Sequence, residues 1–405
     1  MVAAQPLLRR KLRRRGAAEP GYLAHVEERF GRYAGPTEPG RLWIHAVSLG
    51  ETRAAAILID ALRAVRPELR LLLTHGTATG RAEGARLLRE GDAQAWLPWD
   101  TPGAVERFLN HFHPVAGILM ETEVWPNLVA ACRERAMPLA LANARLSEKS
   151  LAGARRLGPL SRPAYAALSA VWAQTEADAR RLAQAGATVQ GVFGNLKFDA
   201  DPDAAQLAQG RAWRAAQQRP VVMFASSREG EEAQLLPAIA GRREVQWLLV
   251  PRHPQRFDEV AALAAQAGFS VSRRSAWDAG PQPADVWIGD SIGEMPLYYG
   301  LAGAALLGGS FAPMGGQNLI EAAACGCPVV MGPHTFNFDE AAQLALQAGA
   351  ARRVASMQEA VDAAVALVRD PPSREAAAQA GERFAAAHRG AAHKTRDAVL
   401  ALLEK

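Results

Sequence analysis

From Leu42 onward one pattern recurs: a short apolar run, a small-residue turn, then an Ala/Leu/Arg-rich segment with helical period. An apolar run too short for a core helix reads as a strand buried on both faces. Strands alternating with helices build a parallel sheet covered on both sides. In the first half the pattern reads LWIHAVSLG with a helix from Glu51, LRLLLTHGTATG with a helix from Arg81, VAGILMETEVWP with a helix from Asn127, then MPLALANARLS, AVWAQTEADARRLAQAG and VQGVFGNLKFD. The second half gives VVMFASS, VQWLLVPRH, FSVSRRS, DVWIGDS, AALLGGS and CPVVMGPH, and a long Ala-rich helical stretch runs from about Pro372 to Leu403. A chain of 405 residues exceeds one ordinary core. The polar stretch from Ala200 to Arg219 has no strand candidate, which divides the chain into an α/β domain over 1–199, a linker over 200–219 and a second α/β domain over 220–405. Two doubly wound halves place a cleft between them, with chemistry on the loops after the strands.

Composition removes several classes. Three cysteines, Cys132, Cys325 and Cys327, make neither a disulfide framework nor a C-x-x-C site, which fits a reducing compartment. The longest apolar stretches fall short of the roughly 18–20 residues of a membrane span. A net charge of +5 is concentrated in Arg9, Arg10, Lys11, Arg13, Arg14 and Arg15, within a basic segment over 1–40. Such a run favours an anionic membrane surface by about 1 kcal/mol per basic residue. MVAAQPLL ahead of it is too brief for a signal sequence. Basic residues do not recur later with interleaved aromatics, so no nucleic-acid partner is expected. His111 and His113 lack a third ligand at metal spacing, and no metal is assigned.

The loops carry the candidate chemistry. In VSLGET, Glu51 follows a buried strand, with Ser48 three residues earlier. It is either a general base kept ionised by its helix N-terminus or the acid of an S-x-x-E capping box. Similar boxes start at Thr175, Ser291 and Asn318. HGTATG, from His75 to Gly80, is a glycine-bracketed turn of the kind that offers N–H groups to an anion, but it matches no nucleotide motif. Glu121 and Glu123 in METEVWPN share a direction if strand geometry persists, and the spacing permits either to act. GNLKFD presents Lys197 between apolar neighbours, and VPRHPQRF puts Arg252 where a cation could meet a phosphate. GGSFAPMGGQNLIEAAACGCPVV sets Asn318 and Glu321 at a helix start after two glycine pairs.

Together WIHAVSLGET, METEVWPN, NARLS, GNLKFD, EGEE, VPRHPQRF, GDSIGEM, GGSFAPMGGQN and GPHTFNF, in this order from Leu42 to Phe338, resemble the 3-deoxy-D-manno-octulosonic acid (Kdo) transferases of lipopolysaccharide synthesis. The resemblance implies a GT-B glycosyltransferase of two Rossmann-like domains, the first binding acceptor and the second binding the donor. It implies Glu51 as the base for the acceptor 6'-hydroxyl, with Glu121 and Lys197 stabilising the transition state. Pro251, Arg252, the Ile292-Gly293-Glu294 turn and Asn318, Leu319, Ile320 and Glu321 would hold the cytidine monophosphate (CMP) moiety. It further implies CMP-Kdo as donor substrate with no cofactor, a lipid A precursor as acceptor, and inversion without a metal. The expected location is the cytoplasmic face of the bacterial inner membrane, held peripherally. The chain departs from the family pattern at Ser227 and Arg228, where Thr and His are usual, at Ile292 for Met, at Gln317 for His, and in a reduced N-terminal anchor.

Two competing readings stand beside this one. Another GT-B sugar-nucleotide enzyme, such as a 2-epimerase, would share the fold, and a non-catalytic membrane-surface scaffold would share the basic segment. A hinge at 200–219 would let the two domains close and exclude water.

Overall fold

Among the described residues, fourteen short strands supply the framework, seven in each of two sheets. The computed structural model describes residues 5–36 and 38–404. The first sheet contains β1 (Leu42–His45), β2 (Leu71–His75), β3 (Ala93–Trp96), β4 (Ala116–Met120), β5 (Leu139–Ala144), β6 (Ala170–Ala173) and β7 (Gly191–Val192). Their order is β3-β2-β1-β4-β5-β6-β7, with every neighbour parallel. The second contains β8 (Val221–Ser227), β9 (Gln246–Pro251), β10 (Val271–Arg273), β11 (Val286–Ile288), β12 (Ala304–Leu307), β13 (Val329–Met331) and β14 (Ala351–Arg353). It runs β10-β11-β9-β8-β12-β13-β14, again parallel throughout.

Strands such as Leu42–His45 and Leu139–Ala144 are buried at every position, because helices cover both faces. Trp43, Phe108, Leu128 and Leu141 pack one face of the first sheet; Ile44, Leu58, Leu73 and Ile118 pack the other. Burying one such side chain contributes about 1.5–3 kcal/mol, so the two layers fix the strand order. The chain reverses its winding direction between β1 and β4 in one sheet and between β8 and β12 in the other. Loops leaving those strands open a crevice at their carboxyl ends.

The chain forms two compact units, one made of 1–199 with 389–405, the other of 200–388. The boundaries expected for the second domain therefore need correction at both ends. The stretch expected as a linker and hinge holds the helix Ala204–Ala215, capped by Asp203 and fastened inside the second unit. Gly210 and Gly300 let it lie directly on the helix Met295–Leu301: a Cβ on Gly210 would sit 2.1 Å from the Leu297 carbonyl oxygen. The Ala-rich tail is two helices, Pro371–Ala387 and Ala391–Leu403, broken at Gly390 with φ +107°. The second of them belongs to the first unit. Its Ala391, Ala392, Val399 and Leu402 join the core beside Leu58 and Ile59, and the Asp199 carboxylate accepts the N–H groups of Gly390 at 2.5 Å and Ala392 at 2.8 Å.

The basic run is a helix, Gln5–Ala18, rather than a loose tail. Leu12 is buried, Arg9 pairs with Glu27 at 2.7 Å and lies over the Phe30 ring, and Arg15 lies over Tyr22. Arg10, Lys11, Arg13 and Arg14 remain exposed, as does Leu7. Met1 to Ala4 of the apolar start lie outside the described residues. Among the described residues no helix is long and apolar enough to cross a membrane.

Candidate active site

After β1 the chain turns through Val47 and Ser48 into the helix Leu49–Val65, which sets Glu51 in the first turn. Ser48 is the N-cap: its Oγ accepts the Glu51 N–H at 3.3 Å and donates to Glu51 Oε1 at 3.0 Å, while the Val47 N–H donates to Oε2 at 2.9 Å. The capping box is therefore real. It does not exhaust the carboxylate, because Glu51 also faces Glu121. Burial, reinforced by the charge of Glu121, raises the Glu51 carboxyl from 4.5 to about 7, against the pull of its two donors. The expectation that the helix N-terminus keeps this acid ionised is thus reversed. Desolvation wins, and the group is poised near neutrality as a base should be.

HGTATG braces this turn. The Val47 carbonyl oxygen accepts the N–H groups of Gly76 at 3.2 Å and Thr77 at 2.9 Å together with the Thr77 hydroxyl at 2.9 Å, and His75 Nδ1 lies 3.0 Å from the Ala46 carbonyl. The N–H groups of Gly76 and Thr77, read from sequence as available to an anion, are committed to the backbone that orients Glu51.

The strand geometry assumed for METEVWPN stops at Met120. Glu121 adopts a left-handed conformation, φ +58°, at a cost of about 1–2 kcal/mol for a residue with a Cβ. The turn separates the two acids. Glu121 is buried and pairs with Lys197 Nζ at 2.9 Å and Arg145 Nε at 2.9 Å. Burial opposes its ionisation, but the two cations overcome that and hold its carboxyl below the usual range. Glu123 accepts from Trp125 Nε1 at 2.8 Å instead, and burial pushes its carboxyl up. Lys197 reaches Glu121 from the 3-10 turn Leu196–Asp199, which is held by Asn143 Oδ1 on the Leu196 N–H at 3.0 Å and Asn195 Oδ1 on the Lys197 N–H at 3.0 Å. Asn143, like Glu121, has positive φ at a strand's carboxyl end. Glu51, Glu121 and Lys197 are thus brought together at the reversal between β1 and β4. Arg145 and Asn143 are the members that residue-level reading missed, although both lie in the NARLS string.

In the second unit, Pro251 ends β9 and Arg252 follows it, its N–H bonded to the Ser227 carbonyl at 3.0 Å and its Nε to Gln317 Oε1 at 3.1 Å. The Gln that replaces the usual His is therefore the partner that aims Arg252. Asn318 caps the helix Leu319–Ala324, with its Oδ1 on the Ile320 N–H at 3.1 Å. Leu319 and Ile320 are buried, and Glu321 is half-buried in the first turn. The Ile292–Glu294 turn is anchored separately: Gln206 Nε2 donates to the Gly293 carbonyl at 3.1 Å, and Glu294 pairs with Arg274 at 2.8 Å. Ser291 does not open a helix as its box predicts. The helix begins at Met295, and the Ser291 hydroxyl bonds the Glu294 carboxylate at 2.5 Å.

The last two acids of EGEE, Glu231 and Glu232, hold backbone and side chains of the fold. Glu231 accepts N–H groups from Arg228, Gly309, Phe311 and Ala312 at 2.7–3.2 Å, and Glu232 takes Arg256 through both oxygens with the Ser227 hydroxyl at 2.6 Å. Glu231 locks the loops after β8 and β12 to each other, and Glu232 ties the end of β8 to the turn after β9. His111 stacks on Tyr33, and His113 ends the helix Pro102–Phe112 in a left-handed conformation.

Comparison with known proteins gives a consistent answer. The family profile described as "3-Deoxy-D-manno-octulosonic-acid transferase (kdotransferase)" matches residues 24–200. A Bordetella pertussis protein named 3-deoxy-D-manno-octulosonic acid transferase is 51% identical over 388 residues, covering 92% of this chain and 90% of its own. Among solved structures, a glycosyltransferase from Rickettsia africae superposes with TM-score 0.60 at 11% identity, over 91% of this chain and 100% of that one. A UDP-GlcNAc 2-epimerase from Neisseria meningitidis, bound to UDP-GlcNAc, gives 0.57 at 14%, over 90% and 99%. The fold of two parallel-sheet units is therefore that of GT-B glycosyltransferases and the epimerases that share it.

Proposed function

Because the chain belongs to the Kdo transferase family, we propose that it is an inverting, metal-independent glycosyltransferase that moves Kdo from CMP-Kdo to the 6'-hydroxyl of a lipid A precursor in lipopolysaccharide synthesis. The observation that carries the mechanism is the pairing of a neutral-poised Glu51 with the cation-bound Glu121. Glu51 takes the proton of the 6'-hydroxyl as the oxygen attacks the anomeric carbon. One C–O bond forms on one face while the bond to the phosphate oxygen breaks on the other, which inverts the centre. CMP leaves as its phosphate passes from diester monoanion to monoester dianion.

Lys197, fixed on Glu121, pairs with the sugar carboxylate, and the Glu121 carboxylate supports the positive charge developing on the ring. Arg252, held in aim by Gln317, meets the leaving phosphate, and the Asn318–Glu321 turn and the Ile292-Gly293-Glu294 turn bind the nucleoside. Pro251 fixes the start of the Arg252 loop. The exposed cations of the helix Gln5–Ala18 support work on an anionic surface, as a peripheral protein of the cytoplasmic face of the inner membrane.

The test is CMP release from CMP-Kdo with and without a tetraacylated lipid A precursor, in EDTA, for the wild type and Glu51→Gln. Release that depends on acceptor, persists in EDTA and falls at least about 10³-fold in the variant is expected. Release without acceptor, or unchanged by the substitution, overturns the assignment of Glu51.

A further inference from the structure

A cavity of about 300 Å³ lies in the second unit, away from the residues assigned above. Gly303 and Gly326 form part of its floor. They precede β12 and β13, so the cavity opens at the amino ends of strands whose carboxyl ends carry the donor loops. Three arginines converge on it, Arg211 and Arg214 from the helix Ala204–Ala215 and Arg374 from the first turn of the helix Pro371–Ala387.

The charges are poorly balanced. Arg211 reaches the Cys325 carbonyl and Glu382, each at 3.2 Å. Arg374, whose Cδ passes 3.6 Å from a Cβ placed on Gly303, has Glu375 at 3.4 Å. Arg214 donates to the Ala302 carbonyl at 2.9 Å and, among the described residues, makes no ion pair, although the Glu375 carboxylate acts on it from further off. Burial first, then the facing Arg374 and Arg211, lowers its pKa against the opposing pull of Cys327 and Glu375. A cation in a helix's first turn is also opposed by the macrodipole, so Arg374 adds to the excess positive potential.

We propose that this cavity is a second ligand site, for a small sugar phosphate, distinct from the donor site. Arg214 and Arg374 take the phosphoryl oxygens, since guanidinium forks match that geometry, and the carboxylates of Glu375 and Glu382 accept sugar hydroxyls. A volume near 300 Å³ stands at the lower end of the range for small-molecule sites, ample for a monosaccharide phosphate and too small for a sugar nucleotide. The inference does not depend on the reading of the donor loops.

Isothermal titration calorimetry on the full chain tests it, with inorganic phosphate and glucose 6-phosphate as probes, each with and without saturating CMP, at constant ionic strength. Expected is binding of glucose 6-phosphate tighter than that of inorganic phosphate, unaffected by CMP and weakened at least about tenfold by Arg214→Gln and by Arg374→Gln. Ala378→Glu, which keeps all three arginines and places an acid in the lining, abolishes it too. Absence of binding to the wild type, blockade of binding by CMP, or equal affinity in folded variants overturns the proposal. Equal affinity for the two probes overturns the sugar assignment.

Discussion

Glu51 and Glu231 occupy matching places, each in the first turn of the helix that follows the first strand, in chain order, of a seven-stranded parallel sheet, and they differ in what their oxygens touch. Glu231 accepts four backbone N–H groups drawn from two loops. Glu51 accepts one N–H and one hydroxyl and faces a second carboxylate. Four strong donors spend a carboxylate's lone pairs on holding loops together, whereas two leave it able to take up a proton. Burial of an acid after such a strand is thus no sign of catalysis by itself. The count and kind of its partners decide.

The cation beside that pair gives the largest test. Lys197→Met leaves Glu121 with Arg145 alone, and kcat for Kdo transfer is expected to fall about 10²–10³-fold with CMP affinity unchanged by calorimetry. Parallel loss of CMP binding would place Lys197 in the donor site instead.

Amide substitutions at the two matched acids should move stability in opposite directions. Glu231→Gln turns an oxygen acceptor into a donor facing backbone N–H groups, and urea unfolding should show a loss of roughly 2–4 kcal/mol. For Glu51 the folded carboxyl holds its proton up to about pH 7, above the ordinary 4.5. Its favourable contribution is therefore complete below about pH 4.5 and is lost as pH rises through 7. Glu51→Gln escapes that loss, so at pH 8 it should be more stable than the wild type by about 1–3 kcal/mol, and no more stable at pH 4. A destabilised Glu51→Gln at both pH values would make Glu51 a strut like Glu231.

The smallest effect is the pH profile. With Glu51 as base, kcat/KM falls about tenfold per pH unit below about 7, and the break moves down when Glu121→Gln removes the neighbouring charge. An unmoved break would detach the two acids.

Much of this was legible in the residues. Continuous apolar runs such as LWIH and LLLTH gave away the parallel sheets, because nothing else buries both faces of so short a segment. The motif strings named the acids, Lys197 and Arg252. What escaped was set by tertiary contact. β3, AQAW, has a polar residue at its centre and is stabilised by its neighbour β2 rather than by its own pattern. The helix Ala204–Ala215 looks like a linker because its packing depends on two glycines ninety positions apart, Gly210 and Gly300. The partnership of Arg145 with Glu121 needs a left-handed turn that no spacing rule encodes. The raised pKa of Glu51 depends on desolvation, which a sequence does not display.

The return of the helix Ala391–Leu403 to the first unit has a consequence for biosynthesis. During translation the first unit is made early but waits for its last core element until the whole second unit has been made. Until then Leu58 and Ile59 lack the cover of Val399 and Leu402, and the Asp199 carboxylate lacks the two N–H groups it will cap. The unit that holds Glu51 and Glu121 is therefore the last to finish, and a nascent chain stalled anywhere in the second unit exposes an apolar seam for chaperones and proteases to find.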